Sequence, residues 1–488
     1  MIRKRVCAGF ASMMMAIAMC AQGVSADADI KRACESIDMP LLCISTIDGE
    51  MPTCQVVTAP AGCIGTSITD NNYVAGRMVM TLSGDTLYDS GEYEQSVSGM
   101  RIKIRGNSTG AYLDQHPYKI KLSKKSDLLR RGDEYKHKEW LLLSMYTWNV
   151  KMTREYSNLL NIAGTVAAKA VGVEWTPSYE FVNVMLNGKY QGMYYLMESV
   201  SRDECRVNVS NEGFIIEHDP FFWNEDGHFF KTNHQIAAYG YTYKYPDKDE
   251  VTDDVQTAIC DYMNEFEDCL YGDGDVAQYI DMESFAKWIL VHDILGTDDG
   301  AGCNKFLYKY DMLTDAASSK LKIGPPWDYD SCFRIGDGQW SKVHTMTAFY
   351  YPKLFERNDF KEEYLRQWDR VSSDLESVLL DGLEEEYEKY HAAFDEGIAL
   401  HNKFFPGEGV KTCREQIDEL KKLMSQRVGM MENLTADLVA TDVELPSGDA
   451  RVERMLSIDG LEVTKTTMTR GIYIIVYTDG SVRKIIKK

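Results

Sequence analysis

The feature that most constrains how this chain can fold is a short β-prone hairpin with polar, chemistry-bearing residues at both ends. The apolar runs Phe306 to Tyr310 and Leu321 to Ile323 read as two strands joined by a polar turn. Asn304 stands just before the first and Asp328 just after the second, within Pro326-Trp327-Asp328-Tyr329-Asp330. Asp299 precedes Asn304 by five positions. Such a hairpin sits at the heart of a domain, because it has to carry an acid, an amide and a second acidic pair to one place. Phosphoryl-transfer enzymes use that set to hold a metal-bound nucleotide beside an acceptor hydroxyl. Asp298 adjoins Asp299, but only Asp299 has the five-residue offset to Asn304. No Gly-x-Gly-x-x-Gly loop, His-Arg-Asp or Asp-Phe-Gly triplet, or Gly-x-x-x-x-Gly-Lys-Ser/Thr loop occurs near these acids, so any enzyme of this kind is atypical.

The rest of the chain reads as β-rich first and helix-rich second. Short alternating runs such as Met78 to Leu82, Met100 to Ile104 and Tyr118 to Leu122 are strands. One helix is expected from Thr153, as N-cap, to Val171, closed by Gly172. Phe181 to Leu186 and Gln191 to Leu196 flank Asn187-Gly188, which supplies the two positive φ angles of a type I′ hairpin turn. After Tyr245-Pro246, helical periodicity covers Asp253 to Leu270, Met282 to Leu295, Phe360 to Leu400 and Thr412 to Leu438. From about Arg451 strands return: Met455 to Ile458, Gly471 to Tyr477 and Ser481 to Ile486. The fold class expected is α+β and bilobal, with a small C-terminal β-module.

Arg101, Lys103 and Arg105 alternate along one expected strand and Lys119 and Lys121 along the next, so each set shares a face. These cations stand out in a chain of formal net charge −22. The connection begins Gly106-Asn107-Ser108-Thr109, rich in groups that can cradle phosphate oxygens. The net charge argues against a nucleic acid or an anionic membrane surface as partner, while a metal-complexed nucleotide or a basic peptide remains compatible.

Arg3, Lys4 and Arg5 precede an apolar run from Val6 to about Ala21, and Val24-Ser25-Ala26 offers small residues for cleavage. This reads as an export signal over residues 1–26, and no second apolar run reaches the roughly 20 residues of a membrane span. An oxidising destination permits disulfides, and Cys34, Cys43, Cys54 and Cys63 are the expected staples, without a pairing that spacing could give. Glu217-His218-Asp219 with His228 and His234 fits no zinc spacing.

An ordered series of motifs resembles the spore-coat protein H (CotH) kinase family of secreted or surface-associated atypical protein kinases. It consists of Ile104-Arg105-Gly106-Asn107-Ser108 with Pro117 to Leu122; Trp140-Leu141-Leu142-Leu143 and Arg154; Leu186 to Tyr194 and Glu198; Gly213 to Glu217; and Asp299, Asn304, Leu307-Tyr308 and Pro326 to Asp330. The resemblance implies a kinase-like domain over about residues 96–440, preceded by a β-rich region at 27–95. It implies ATP with Mg²⁺ or Mn²⁺ as cofactors and a protein acceptor bearing Ser or Thr. Carried over by position, Asp299 is the acceptor-positioning acid, and Asn304, Asp328 and Asp330 hold metal. Arg105, Asn107, Ser108, Lys119 and Lys121 meet the phosphates, Lys121 ahead of Lys119. Glu198 either faces the adenine or pairs with the basic strand. Gly110 stands where the family commonly has an aromatic residue. Residues 451–488 resemble the C-terminal sorting module of type IX secretion, which implies a contact with secretion machinery and a periplasmic, cell-surface or secreted destination. The rival reading is a catalytically silent member serving as a structural or adhesion protein. A carbohydrate-active enzyme would instead need two carboxylates about 5 to 9.5 Å apart across a sugar cleft.

Overall fold

The computed structural model describes residues 28–145, 159–225, 227–234, 238–297, 304–333, 349–404, 411–441, 452–458, 460–464, 471–478 and 482–487. Its first half comprises β1 (Leu41–Thr46), β2 (Gln55–Thr58), β3 (Thr66–Thr69), β4 (Val74–Leu82), β5 (Asp85–Asp89), β6 (Met100–Ile104), α1 (Ser108–Tyr112), β7 (Tyr118–Ser126), β8 (His137–Ser144), α2 (Leu160–Val171), β9 (Tyr179–Leu186) and β10 (Lys189–Glu198). The large sheet runs β1-β9-β10-β8-β7-β6-β4-β5, and β1 also pairs with β4. That last pairing closes the sheet into a ring, with β1 parallel to β9 on one side and antiparallel to β4 on the other. Closure removes two sheet edges, and the ring includes strands from both sides of residue 95.

Side-chain alternation decides what each face carries. Ile44, Met80, Ile102, Ile120, Trp140, Leu142, Val184 and Leu196 point inward and form one apolar cluster. On the outer face Phe181, Met193 and Tyr195 join a second cluster with α2 and the later helices. Arg101, Lys103, Lys119 and Lys121 occupy outward positions between the buried residues of β6 and β7. Asn187 (φ 49°) and Gly188 (φ 75°) take the left-handed conformations that the β9–β10 turn requires.

The second half contains β11 (Phe214–Asp219), β12 (Phe229–Phe230), β13 (Gly240–Tyr245), α3 (Asp253–Tyr271), α4 (Met282–Leu295), β14 (Lys305–Lys309), β15 (Leu321–Ile323), α5 (Tyr351–Phe355), α6 (Asn358–Val371), α7 (Leu375–Phe404) and α8 (Cys413–Thr441). Its sheet is ordered β12-β13-β11-β14-β15. The helix expected over Phe360 to Leu400 is two helices, broken at Ser372-Ser373-Asp374, where short polar side chains compete for backbone hydrogen bonds. Thr412 begins α8 as a capping box, accepting from the Glu415 N–H while Glu415 accepts from the Thr412 N–H at 2.9 Å. Helix α2 begins at Leu160, and Thr153 and Arg154 lie outside the described residues. The C-terminal strands β16 (Val452–Ser457), β17 (Glu462–Val463), β18 (Gly471–Tyr477) and β19 (Val482–Lys487) form a sheet of their own.

The protein is thus of mixed α+β architecture, β-rich first and helical later. No described helix is long and apolar enough to cross a membrane. The expected N-terminal staples are absent: Cys34, Cys43, Cys54 and Cys63 are all free thiols. Cys34 is buried in the apolar core, which pushes its thiol up to about 12 and keeps it protonated and unreactive.

Candidate functional site

The hairpin β14–β15 forms as expected, with Leu307 opposite Ile323 and Tyr308 opposite Lys322. It brings Asn304 and Asp328 together. Both residues sit at positive φ, 62° and 58°, a region that Asn and Asp enter more readily than other non-glycine residues. The Asn304 side chain donates to the Asp328 carboxylate. Strain of about 1–3 kcal/mol per such residue persists only where its surroundings impose it, and here the surroundings are visible. Helix α2 passes directly beneath: Asn161 accepts from the Tyr329 N–H at 3.4 Å, and Gly164 faces the Tyr329 ring. A Cβ on Gly164 would lie 2.1 Å from two ring atoms. Gly164→Ala should therefore destabilise the protein by about 2 kcal/mol despite the better helix propensity of alanine. Urea unfolding checks this, and an unchanged midpoint would show that the α2–Tyr329 contact is slack.

Above Asp328 lies Arg105, its guanidinium 5.9 Å from the centroid of the Trp327 ring. Burial pulls the Arg105 pKa down, and the charges of Asp328 and Glu217 oppose that shift. Burial likewise raises the Asp328 carboxyl above the ordinary range, against the pull of Arg105 and the Asn304 hydrogen bond. Glu217, on β11, pairs with Lys244 of β13 at 2.7 Å and is a third acid within the electrostatic reach of Asp328.

Along the sheet, Lys103 lies opposite Lys119 and Arg101 opposite Lys121. Like charges directly opposed destabilise a sheet, and Glu139, opposite Lys121 on β8, offsets them. Its two oxygens reach Lys119 at 2.9 Å and Lys121 at 3.4 Å. Burial alone would raise the Glu139 carboxyl, but Lys119 and Lys121 outweigh it and bring the pKa down to about 2. A depressed carboxyl stabilises the fold above its unfolded pKa of about 4.5, and that contribution disappears as pH falls through 2. Glu139→Gln should accordingly cost on the order of 2 kcal/mol at pH 7 and almost nothing near pH 2. Denaturant melts of both proteins across that range test this, and a gap that persists at pH 2 would mean a packing effect instead. Tyr73 lies beneath Arg101 and Lys103, each 5.1 Å from its ring centroid.

The loop after β6 is shaped by glycine. At Gly106 (φ +89°) a Cβ would meet Thr109 Oγ1 at 2.3 Å, and at Gly110 it would meet the Arg105 carbonyl oxygen at 2.7 Å. This close approach leaves no room for a side chain at Gly110. Ser108 opens the short helix α1, and Asn107 Oδ1 accepts from Ser67 at 2.7 Å.

Glu198 has different partners from those expected. Its Oε1 meets Arg131 at 2.7 Å and Arg206 at 3.6 Å, and its Oε2 accepts from the Ser178 N–H at 2.9 Å. It does not pair with the basic strands, because the end of β10 turns it toward these two arginines. Asp330, in the turn Tyr329–Ser331, is half-buried beside the site. Asp299 lies outside the described residues. Glu139, Tyr73 and Lys244 were not singled out by sequence. For Glu139 a signal existed: it directly precedes the buried Trp140, and strand alternation turns it to the lysine face.

Residues 102–431 match the family described as CotH kinase protein, which is more than half of the chain. The chain belongs to the CotH kinase protein family. No curated protein matches it. The Arg105, Lys119, Lys121, Asn304 and Asp328 positions all fall within the segment matched to the CotH family.

The residues present fit a divalent cation of the hard kind. A carboxylate and an amide oxygen on adjoining turns are oxygen donors, with the Asp330 carboxylate two positions on. Mg²⁺ is held by one or two carboxylates together with phosphate oxygens and water. Such an ion needs no all-protein cage, and among the described residues no group of three or more His, Cys, Asp or Glu forms one.

Proposed function

We propose that this protein is an exported atypical protein kinase that transfers the γ-phosphoryl group of ATP to Ser or Thr of a surface or extracellular protein. The observation that carries this reading is the convergence of Asn304 and Asp328 at the end of one hairpin, with Arg105 within electrostatic reach of Asp328. Acid, amide and cation are required together where a polyphosphate is held through a metal, and a purely structural turn needs none of them.

The residues divide the work as follows. Asp328, Asn304 and Asp330 would hold Mg²⁺ or Mn²⁺, which supplies charge neutralisation at the phosphate oxygens. Lys119 and Lys121 stand ready as phosphate contacts, with Glu139 fixing their ammonium groups on the sheet face so that little side-chain entropy is lost on binding. Arg105 adds a planar donor at the end nearest Asp328. Asp299 positions the acceptor hydroxyl, as its place in the motif series suggests. The export segment at 1–26 supports a destination outside the cytoplasm, and the C-terminal sheet would serve as the sorting module.

The test is transfer of label from γ-labelled ATP to the protein itself and to a set of basic Ser/Thr peptides, with Mn²⁺ or Mg²⁺. Metal-dependent ATP binding with label transfer is the expected result. Absence of both would sink the kinase reading and leave the structural or adhesion role in its place.

A further inference from the structure

The outer face of β6 and β7 carries more cation than the protein itself balances. Lys119 and Lys121 share the Glu139 carboxylate. Arg101 and Lys103 face them across the ladder, and among the described residues neither forms an ion pair or a hydrogen bond. Their one polarisable neighbour is the Tyr73 ring that both approach. Lys103 is half-buried and so still open to the cleft. Burial pulls its ammonium below the usual lysine range, and the charge of Lys119 directly opposite adds to that shift. The acids within its electrostatic reach are already held by other lysines: Glu139 by the two of β7, and Glu225 by Lys248 at 3.7 Å. A desolvated cation facing another lysine costs the fold free energy. An anion lying between Lys103 and Lys119 would remove that cost.

Position along the sheet decides which part of an anion would lie there. Arg105 continues β6 by one residue, its N–H donating to the Pro117 carbonyl at 3.0 Å. Strand alternation therefore sets it on the same face as Lys103, two residues and about 7 Å along the strand. Arg105 marks the Asp328 end of the face, where a metal would bridge the last two phosphates of a donor. One step away from that end, the next phosphate of the chain meets Lys103 and Lys119 together. A diphosphate held by the same metal stops short of them.

We propose that Lys103 determines donor specificity: together with Lys119 it binds the third phosphate counted from the metal end, and so favours a triphosphate donor over a diphosphate. This deepens the kinase reading and rests on it for the identity of the donor. Lys119 keeps its partner Glu139 in the free protein, whereas Lys103 gains its first anionic partner when the donor arrives.

The test compares wild type, Lys103→Met and the conservative Lys103→Arg on the full chain, by calorimetry with Mn²⁺ and four probes: ATP, ADP, inorganic tripolyphosphate and pyrophosphate. Lys103→Met should weaken ATP and tripolyphosphate about tenfold, the loss of one hydrogen bond between charged groups, and ADP and pyrophosphate less than about twofold. Lys103→Arg should keep the preference for the longer chain. In label transfer the loss should fall on KM for ATP more than on kcat. Without ligand, Lys103→Met should melt no lower than wild type, because it removes the repulsion from Lys119. A lower melting temperature would mark Lys103 as a structural residue and overturn the assignment, as would equal weakening of the long and short probes or unchanged binding of all four. A wild-type protein that binds neither ATP nor tripolyphosphate would overturn it together with the kinase reading. One that transfers no label but binds tripolyphosphate in a Lys103-dependent way would fail as a kinase and still support the third-phosphate site.

Discussion

Replacing Asp328 by Asn is expected to lower phosphoryl transfer about a thousandfold, equivalent to roughly 4 kcal/mol of lost transition-state stabilisation. The substitution is chosen because it removes one charge and little else. Asn tolerates the left-handed backbone that position 328 adopts, at φ 58°. Its side chain has the same shape and can still accept from Asn304. The neutral amide, however, is a poor ligand for a hard dication, and Arg105 would face no carboxylate. Calorimetric titration of ATP in the presence of Mn²⁺ should lose its metal dependence in parallel with turnover, while thermal unfolding confirms an intact fold. Retention of transfer within threefold of wild type would remove Asp328 from the metal site. Should turnover fall while metal-dependent ATP affinity persists, Asp328 would act on the reacting phosphate and not on nucleotide capture.

How much of this was legible in the sequence depends on the range of the interaction responsible. The β9–β10 hairpin was readable because Asn187-Gly188 encodes its own turn, and β6, α4, β15 and β18 were readable from periodicity alone. Those are local signals. The ring closure was not, since β1 pairs in parallel with β9, from Leu41 opposite Asn183 to Ile44 opposite Leu186, across more than a hundred residues, and no turn chemistry announces such a pairing. The candidate site divides the same way. Asn304 and Asp328 were recognisable because one hairpin carries both. Glu139 was missed because its role depends on β7 and β8 lying side by side, with Lys121 facing it across the ladder. The disulfides expected among the N-terminal cysteines failed for a related reason: compartment and cysteine count say that bridges are permitted, whereas only the packing says where each thiol goes, and Cys34 goes into the core.

The sequence leaves Glu198 between two roles, and its removal should be the most destabilising single change considered. The side chain is fully buried, and it faces two cations: Arg131, half-buried, and Arg206, which is 4% exposed. Arg206 also donates from Nη1 to the carbonyls of Glu139 and Ser199, so it is held in place independently of Glu198 and cannot swing out to water when the carboxylate is lost. Removing one partner of a buried pair leaves an uncompensated charge in a low-dielectric setting, at a cost of about 3–5 kcal/mol. Glu198→Ala should therefore lower the unfolding free energy by that amount in urea titrations. Glu198→Gln should lose somewhat less, because an amide oxygen can still accept from the Ser178 N–H. Combining Glu198→Ala with Arg206→Met should recover part of the loss, since the orphaned cation goes with its partner. The opposite pattern is equally informative. If Glu198→Ala unfolds within about 1 kcal/mol of wild type but binds ATP more weakly, the carboxylate serves the nucleotide, and its contacts with Arg131 and Arg206 are incidental to stability.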